Sequence, residues 1–190
     1  MELIQVPCCE DCRTGTSLGD EALKVMVGMG VLRTETAIEV SNDVLVALQK
    51  PSWWKKELQK SVIDPTSNQA TSIHGVLGHK IRLTPKFSES VDQAVRRTAI
   101  GVIFRYLPDW NNLNYDFKIV GKSEDELQVV ADALTQLGEP QHKVEVGNGA
   151  FIAGWSFTTD GSNAGMMFMS FHGGLNFFIF IKPKGSDILR

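Results

Sequence analysis

Residues 165–181, with the sequence GMMFMSFHGGLNFFIFI, form the feature that most restricts how this chain folds. Two apolar runs of strand length flank His172-Gly173-Gly174, and glycine is favoured where an antiparallel hairpin turns. Both alternating sets of positions in these runs are largely apolar, whereas a sheet with one face in water has polar residues at every second position. The pattern predicts an antiparallel hairpin covered by helices on one face and by something else on the other.

The periodicity of the rest of the chain predicts helices first and a sheet last. Capping residues and apolar residues at helical spacing predict helices at 17–31, 36–49, from Pro51 onward, 88–107 and 123–137. Short apolar or alternating runs predict one strand or a pair of short strands at 76–83, and strands at 115–120, 143–146, 151–158, 166–171 and 175–181. We therefore predict an α+β fold, with a helical N-terminal part packed on a C-terminal antiparallel β-sheet.

The length of 190 residues fits a single domain, 1–190, because a chain of this size buries a core of its own. The polar, turn-rich segment 64–72, DPTSNQATS, is the candidate linker. It would separate a helical N-terminal subdomain, 1–63, from a sheet-containing part, 73–190.

The charge and the hydropathy of the chain limit its partners. The net charge is -3, so the protein has no overall positive field for nucleic acid. The longest apolar run, 175–181, is too short to cross a membrane, and the first residues do not have the pattern of a signal peptide. We therefore expect a cytoplasmic protein that does not associate with membranes.

The three cysteines, Cys8, Cys9 and Cys12, lie in one short segment before the first predicted helix. C-x-x-C supplies two zinc ligands, and His74 with His79 would complete a Cys2His2 site. However, about sixty residues separate the two pairs, far more than in a zinc finger. A redox pair is also disfavoured, because too few residues precede Cys9 for a βαβ unit. We expect ordinary thiols and no cofactor, with zinc at Cys9, Cys12, His74 and His79 as the alternative.

The segment LIQVPCCEDC and the helix start that follows it resemble the zinc-knuckle HNH endonuclease-like proteins of bacteria and mobile elements. In that family a stretch of the form L-x-x-V-P-x-C-x-x-C-N, followed by a helix start rich in Ser, Asp and Glu, closes a zinc site opened by an earlier C-x-x-C. The matching residues are Leu3, Val6, Pro7, Cys9, Cys12, Ser17, Asp20 and Glu21. The segments VDQAVRRTAIGVIFRYLP and MSFHGGLNFFIF also look like the C-terminal part of some of these proteins.

The departures from the family pattern concern catalysis. The first C-x-x-C and the catalytic His of the family stand upstream of the matched segment, and Arg13 replaces the Asn after the second cysteine. An HNH nuclease needs that His to activate water and a divalent metal to stabilise charge on the phosphate. The resemblance therefore implies shared ancestry without shared catalysis. We expect a non-catalytic binding or interaction protein without Mg²⁺-dependent DNase activity; a nuclease or other hydrolase completed by a partner chain is the alternative.

The third predicted helix carries Trp53, Trp54, Lys55 and Lys56. In a nucleic-acid interface the indoles would stack on bases and the lysines would meet phosphates. The alternative, which we favour, is that one Trp docks in the core and the lysines form the solvated face of the helix.

The two-sided apolarity of the last hairpin also predicts assembly. Met167, Met169, Phe178 and Phe180 together would form an apolar patch larger than soluble monomers usually expose. We predict that a second copy covers them in a two-fold homodimer. A small-molecule cavity lined by Met and Phe is the alternative, disfavoured because no converging polar groups are evident.

Overall fold

The computed structural model describes residues 16–29, 35–47, 49, 52–60, 62–63, 71–73, 76–78, 81–107, 114–120, 124–159 and 164–185, and in them the chain has the predicted α+β fold. The helices are α1 (Thr16–Met29), α2 (Glu35–Ala47), α3 (Trp53–Lys60), α4 (Pro85–Tyr106) and α5 (Glu124–Leu137). The strands are β1 (Val62–Ile63), β2 (Thr71–Ile73), β3 (Val76–Gly78), β4 (Ile81–Arg82), β5 (Tyr115–Val120), β6 (His142–Val146), β7 (Phe151–Phe157), β8 (Gly165–Phe171) and β9 (Leu175–Pro183). Residues 64–70 of the predicted linker lie outside the described residues.

The main sheet has five strands in the order β5-β9-β8-β7-β6, and every neighbouring pair is antiparallel. Strands β6 to β9 form the predicted meander, and β5 adds to the free side of β9. At the β8–β9 turn, His172 and Gly173 have φ angles of 51° and 66°, and the Gly174 N–H donates to the Phe171 carbonyl at 3.1 Å. Positive φ at both central residues matches the right-handed twist of paired strands, so the predicted hairpin turn is confirmed.

The strand register divides the sheet residues between two faces. On the inner face Met167 of β8 lies opposite both Trp155 of β7 and Ile179 of β9. These three side chains belong to one core cluster with residues of α1, α2, α3 and α4, among them Ala22, Val44, Trp54 and Val95. The inner face therefore shares one core with the helices, and the predicted packing of the N-terminal part on the sheet stays a prediction.

Helix α4 is the centre of the helical layer. Thr84 caps its N-terminus by accepting a hydrogen bond from the Phe87 N–H, and Pro85 occupies the first helical position. The buried residues of α4 are Phe87, Val91, Ala94, Val95, Ala99, Gly101, Val102 and Ile103. Helix α1 crosses close to α4 at Gly19, where an added Cβ would lie 2.9 Å from the Ser90 carbonyl oxygen. Only glycine fits this crossing without moving the backbone.

The outer face of the sheet is covered in part by α5. Val130 of α5 packs in a second apolar cluster with Val120 of β5 and Met166 of β8, and Phe178 and Phe180 lie against this cluster. The sequence predicted helices on one face and something other than helices on the other, but a helix, α5, covers part of the outer face. None of the helices in the described ranges is long and apolar enough to cross a membrane.

The prediction that Met167, Met169, Phe178 and Phe180 share one face is wrong. Met167 and Met169 are 0% exposed in the inner core, whereas Phe178 and Phe180 lie on the outer face. The register explains the separation, because Met167 pairs with Ile179 and Met166 pairs with Phe180. Adjacent residues of a strand point to opposite faces, so the two methionines and the two phenylalanines cannot belong to one surface.

Candidate binding cavity on the outer face

A cavity of about 550 Å³ lies between α5 and the outer face, at the end where β7 leads into β8. Met166 and Phe180, which are direct partners in the register, line it from the sheet. Val129 and Ala133, one helical turn apart on α5, line it from the other side. Small-molecule sites have volumes of about 300 to 1,000 Å³ and mostly apolar walls. The size and the lining of this cavity fall in that class.

Neighbouring valines on α5 have different surroundings. Val130 is 3% exposed and holds the helix against Val120 and Met166. Val129 lines the cavity and is 46% exposed. Because successive helical residues point about 100° apart, the helix that anchors itself through Val130 presents Val129 at the cavity. An exposed aliphatic side chain at a cavity gives a ligand apolar surface to bury.

The wall formed by the end of β7 is held by Gln141. Its side-chain amide Nε2 donates to the Phe157 carbonyl at 3.0 Å, and its Oε1 accepts from the Phe157 N–H at 3.1 Å. The Gln141 backbone N–H also donates to the Oγ of Ser156, which is buried. The Gln141 side-chain amide thus pairs with the backbone of β7 as a residue of a neighbouring strand would. These hydrogen bonds hold the cavity wall in place and need no ligand.

The polar groups of the cavity are few and carry no net charge. They come from Asp132 and Gln136 on α5, Thr158 and Thr159 after β7, and Lys182 on β9. Asp132 accepts a hydrogen bond from Gln128 at 2.9 Å. The described lining residues include no histidine or cysteine. The one carboxylate and the one ammonium group offset each other's charge. The hydroxyls and amides beside the apolar lining can then bind and orient a ligand.

The tryptophans predicted for nucleic-acid binding are positioned differently. Trp54 is 4% exposed and belongs to the core, so it is not part of a binding surface. Trp53 is half-buried; its Nε1 donates to Glu21 at 3.0 Å and its ring lies 6.0 Å from that of Phe87. Lys55 is half-buried and Lys56 is exposed. Helix α3 therefore matches the alternative that we favoured. Trp54 packs in the core, and Lys56 is exposed to solvent.

The four predicted zinc ligands, Cys9, Cys12, His74 and His79, lie outside the described residues. In the part of the chain that the structure describes, no group of three or more His, Cys, Asp or Glu side chains is placed to hold a metal ion. The zinc site therefore stays a prediction.

His172 is a turn residue, as its flanking glycines predicted. Its backbone N–H donates to the Ala150 carbonyl at 2.8 Å, which joins the β8–β9 turn to the neighbouring β6–β7 turn. Partial burial lowers the pKa of its imidazole, because the uncharged ring tolerates lost solvation better.

Comparison with protein-family models, with curated proteins and with solved structures finds no match to this chain. The function is therefore inferred from the geometry of the described residues.

The cavity residues of α5 were missed at the sequence level. Val129, Val130 and Ala133 show only that one side of this helix is apolar, and that pattern is equally typical of a helix on the inner face. Polar residues such as Thr158 and Gln141 stand in turns, where polar residues are common for other reasons.

Proposed function

We propose that the protein is a non-catalytic binding protein, and that its ligand is a small, largely apolar molecule held between α5 and the outer face of the sheet. The observation that carries this proposal is the cavity of about 550 Å³ with Met166 and Phe180 on one side and Val129 and Ala133 on the other. Descent from an HNH-type scaffold remains part of the proposal, supported by the residues around Cys9 and Cys12.

The ligand is defined by the lining of the cavity. Apolar side chains cover its sides, so transfer of an apolar ligand from water supplies about 25 cal/mol per Å² of buried surface. The lining has no excess charge to offset the desolvation of an ionised ligand. The proposed class is therefore uncharged molecules with one or two hydrogen-bonding groups for the threonine hydroxyls and the Gln136 amide.

Filling the cavity tests this proposal. Ala133→Phe adds a ring to the wall formed by α5, and we expect at least about a tenfold loss of affinity for the neutral fluorescent probe N-phenyl-1-naphthylamine. Ala131→Phe is the matched control, because Ala131 is exposed on the same helix. We expect the control to bind as the unmodified protein does. Absence of saturable probe binding, or an equal loss in both variants, would contradict the proposal.

Self-association through the rest of the outer face is the second candidate. Phe168 and Phe178 lie on this face with ring centroids 5.4 Å apart, and both side chains are only half-buried. Full burial of an aromatic side chain contributes about 1.5 to 3 kcal/mol, so a second copy seated on this pair would gain stability. The corrected interface consists of Phe168 and Phe178, without the two core methionines and without Phe180, which lines the cavity.

Light scattering at micromolar concentration is expected to give about twice the chain mass of 21.0 kDa. Phe178→Glu introduces a charge at the proposed contact and is expected to give the monomer mass. Gln93→Glu, which places the same charge at an exposed site on α4, is expected to leave the dimer intact. A monomer mass for the unmodified protein would refute this candidate and leave the cavity proposal standing.

A further inference from the structure

A second concavity, of about 680 Å³, lies beside α3 and the start of α4, remote in sequence from the outer-face cavity. Its charged residues are Lys56, Lys60, Lys86 and Glu57. Three lysines and one glutamate give this surface two net positive charges, whereas the whole chain has a net charge of -3. Positive charge is therefore concentrated here against the overall balance of the protein.

Glu57 is engaged by neighbours within the protein. Its Oε1 accepts from the Lys60 Nζ at 2.9 Å, and its Oε2 accepts from the Thr84 hydroxyl at 2.8 Å. These two hydrogen bonds, that of Lys60 first, lower the pKa of the Glu57 carboxyl. Glu57 therefore offsets the charge of Lys60 and orders the start of α4 through Thr84, so the excess positive charge of the concavity comes from Lys56 and Lys86.

Lys86 is held at the edge of the concavity by Trp53. Its Nζ lies 5.6 Å from the centroid of the Trp53 ring, within the range of a cation–π contact. The hydrogen bond from Trp53 to Glu21 fixes that ring. Lys86 is also the second residue of the 22-residue helix α4, whose N-terminal end adds positive potential.

We propose that this concavity binds a small ligand with adjacent phosphate groups, of the pyrophosphate or nucleoside polyphosphate class, through Lys56, Lys60 and Lys86. Lysine ammonium groups act as point charges that meet phosphate oxygens from several directions. A dense anion fits a concentrated group of lysines better than a long polyanion does, because the chain as a whole is acidic. Trp53 already contacts Phe87 and Lys86, so it offers a base little free ring surface.

Isothermal titration of the full chain with pyrophosphate at low ionic strength tests the proposal. The double variant Lys56→Gln/Lys86→Gln removes two charge-assisted contacts, and we expect at least about a tenfold loss of affinity. The matched control is Lys118→Gln/Lys143→Gln, which removes the same charge from exposed sites on β5 and β6. We expect the control to retain affinity within about threefold, since distant exposed charges are screened by salt.

A second variant moves the affinity in the opposite direction. Glu57→Gln keeps the shape of the side chain and a hydrogen bond to Thr84, and it releases Lys60 from a carboxylate. We expect severalfold tighter binding of pyrophosphate. This variant remains informative if the double variant folds poorly.

Three results would overturn the proposal. The first is the absence of pyrophosphate binding by the unmodified protein. The second is an equal loss in the two double variants, which would show attraction to net charge alone. The third is tighter binding of a single-stranded oligonucleotide than of pyrophosphate or ATP, lost in Lys56→Gln/Lys86→Gln, which would assign the lysines to nucleic acid instead. None of these results depends on the outer-face cavity.

Discussion

Met167→Glu is expected to unfold the protein, whereas Phe168→Glu is expected to leave it folded. Met167 is 0% exposed and lies between Trp155 and Ile179 on the inner face. A glutamate there buries an unpaired charge in an apolar core and removes the packing of the thioether, a loss of more than about 5 kcal/mol. That loss is comparable to the whole stability of an ordinary domain, about 5 to 15 kcal/mol.

Phe168 is the matched position, because it is the next residue on the same strand and points to the outer face. It is half-buried, so a glutamate there reaches water and costs about 1 to 2 kcal/mol of lost apolar burial. Urea unfolding followed by far-ultraviolet circular dichroism measures both variants. Equal destabilisation by the two substitutions would show that the two faces are buried alike, and would contradict the register that separates them.

The predicted loop, 172–174, has the observed length, so the error in the faces lies in how the two strands were paired across it. Three residues, 172–174, connect β8 and β9, so Phe171 lies opposite Leu175 and every odd-numbered residue lies opposite another odd-numbered residue. A two-residue loop would have placed Met167 opposite an even-numbered residue. Since both position sets are apolar, the hydrophobic pattern does not choose between these registers.

Local signals predicted most of the fold. The apolar residues of α4 predicted a helix from residue 88, and the glycines after His172 predicted a turn. The cap formed by Thr84 and Pro85 was not used, and the observed helix begins three residues earlier. The predicted helix ends and the strand ends of the main sheet differ from the observed ones by at most three residues. Such signals act over one or two turns of chain, which is why the elements were predicted better than their packing.

The two candidate sites depend on contacts between distant segments. Lys86 meets Trp53 from 33 positions away, and Ala133 faces Phe180 across the cavity from 47 positions away. Neither pairing follows from helical or strand periodicity. The first depends on how α3 packs against α4, and the second depends on how α5 packs on the sheet. The sequence therefore showed Trp53 and Lys56 as candidates but gave no reason to include Lys86.

Trp155→Ala is expected to be the most destabilising aromatic truncation in the sheet, and Trp155→Phe is expected to cost much less. Trp155 is 2% exposed, stacks on His142 with a centroid distance of 5.4 Å and an interplanar angle of 22°, and lies 6.1 Å from the Tyr106 ring. Truncation to alanine removes these contacts and leaves a large hole, a loss of about 3 to 5 kcal/mol.

Phenylalanine retains most of the ring packing and removes the indole N–H. In the described part of the chain, Trp155 Nε1 is buried without a hydrogen-bond partner. An unpaired buried donor costs about 1 to 3 kcal/mol, so its removal offsets much of the lost indole volume. We therefore expect a net loss of less than about 1.5 kcal/mol for Trp155→Phe, measured by urea unfolding against Trp155→Ala. A loss for Trp155→Phe as large as that for alanine would show that Nε1 forms a stabilising hydrogen bond, and that the surroundings of Trp155 differ from those described.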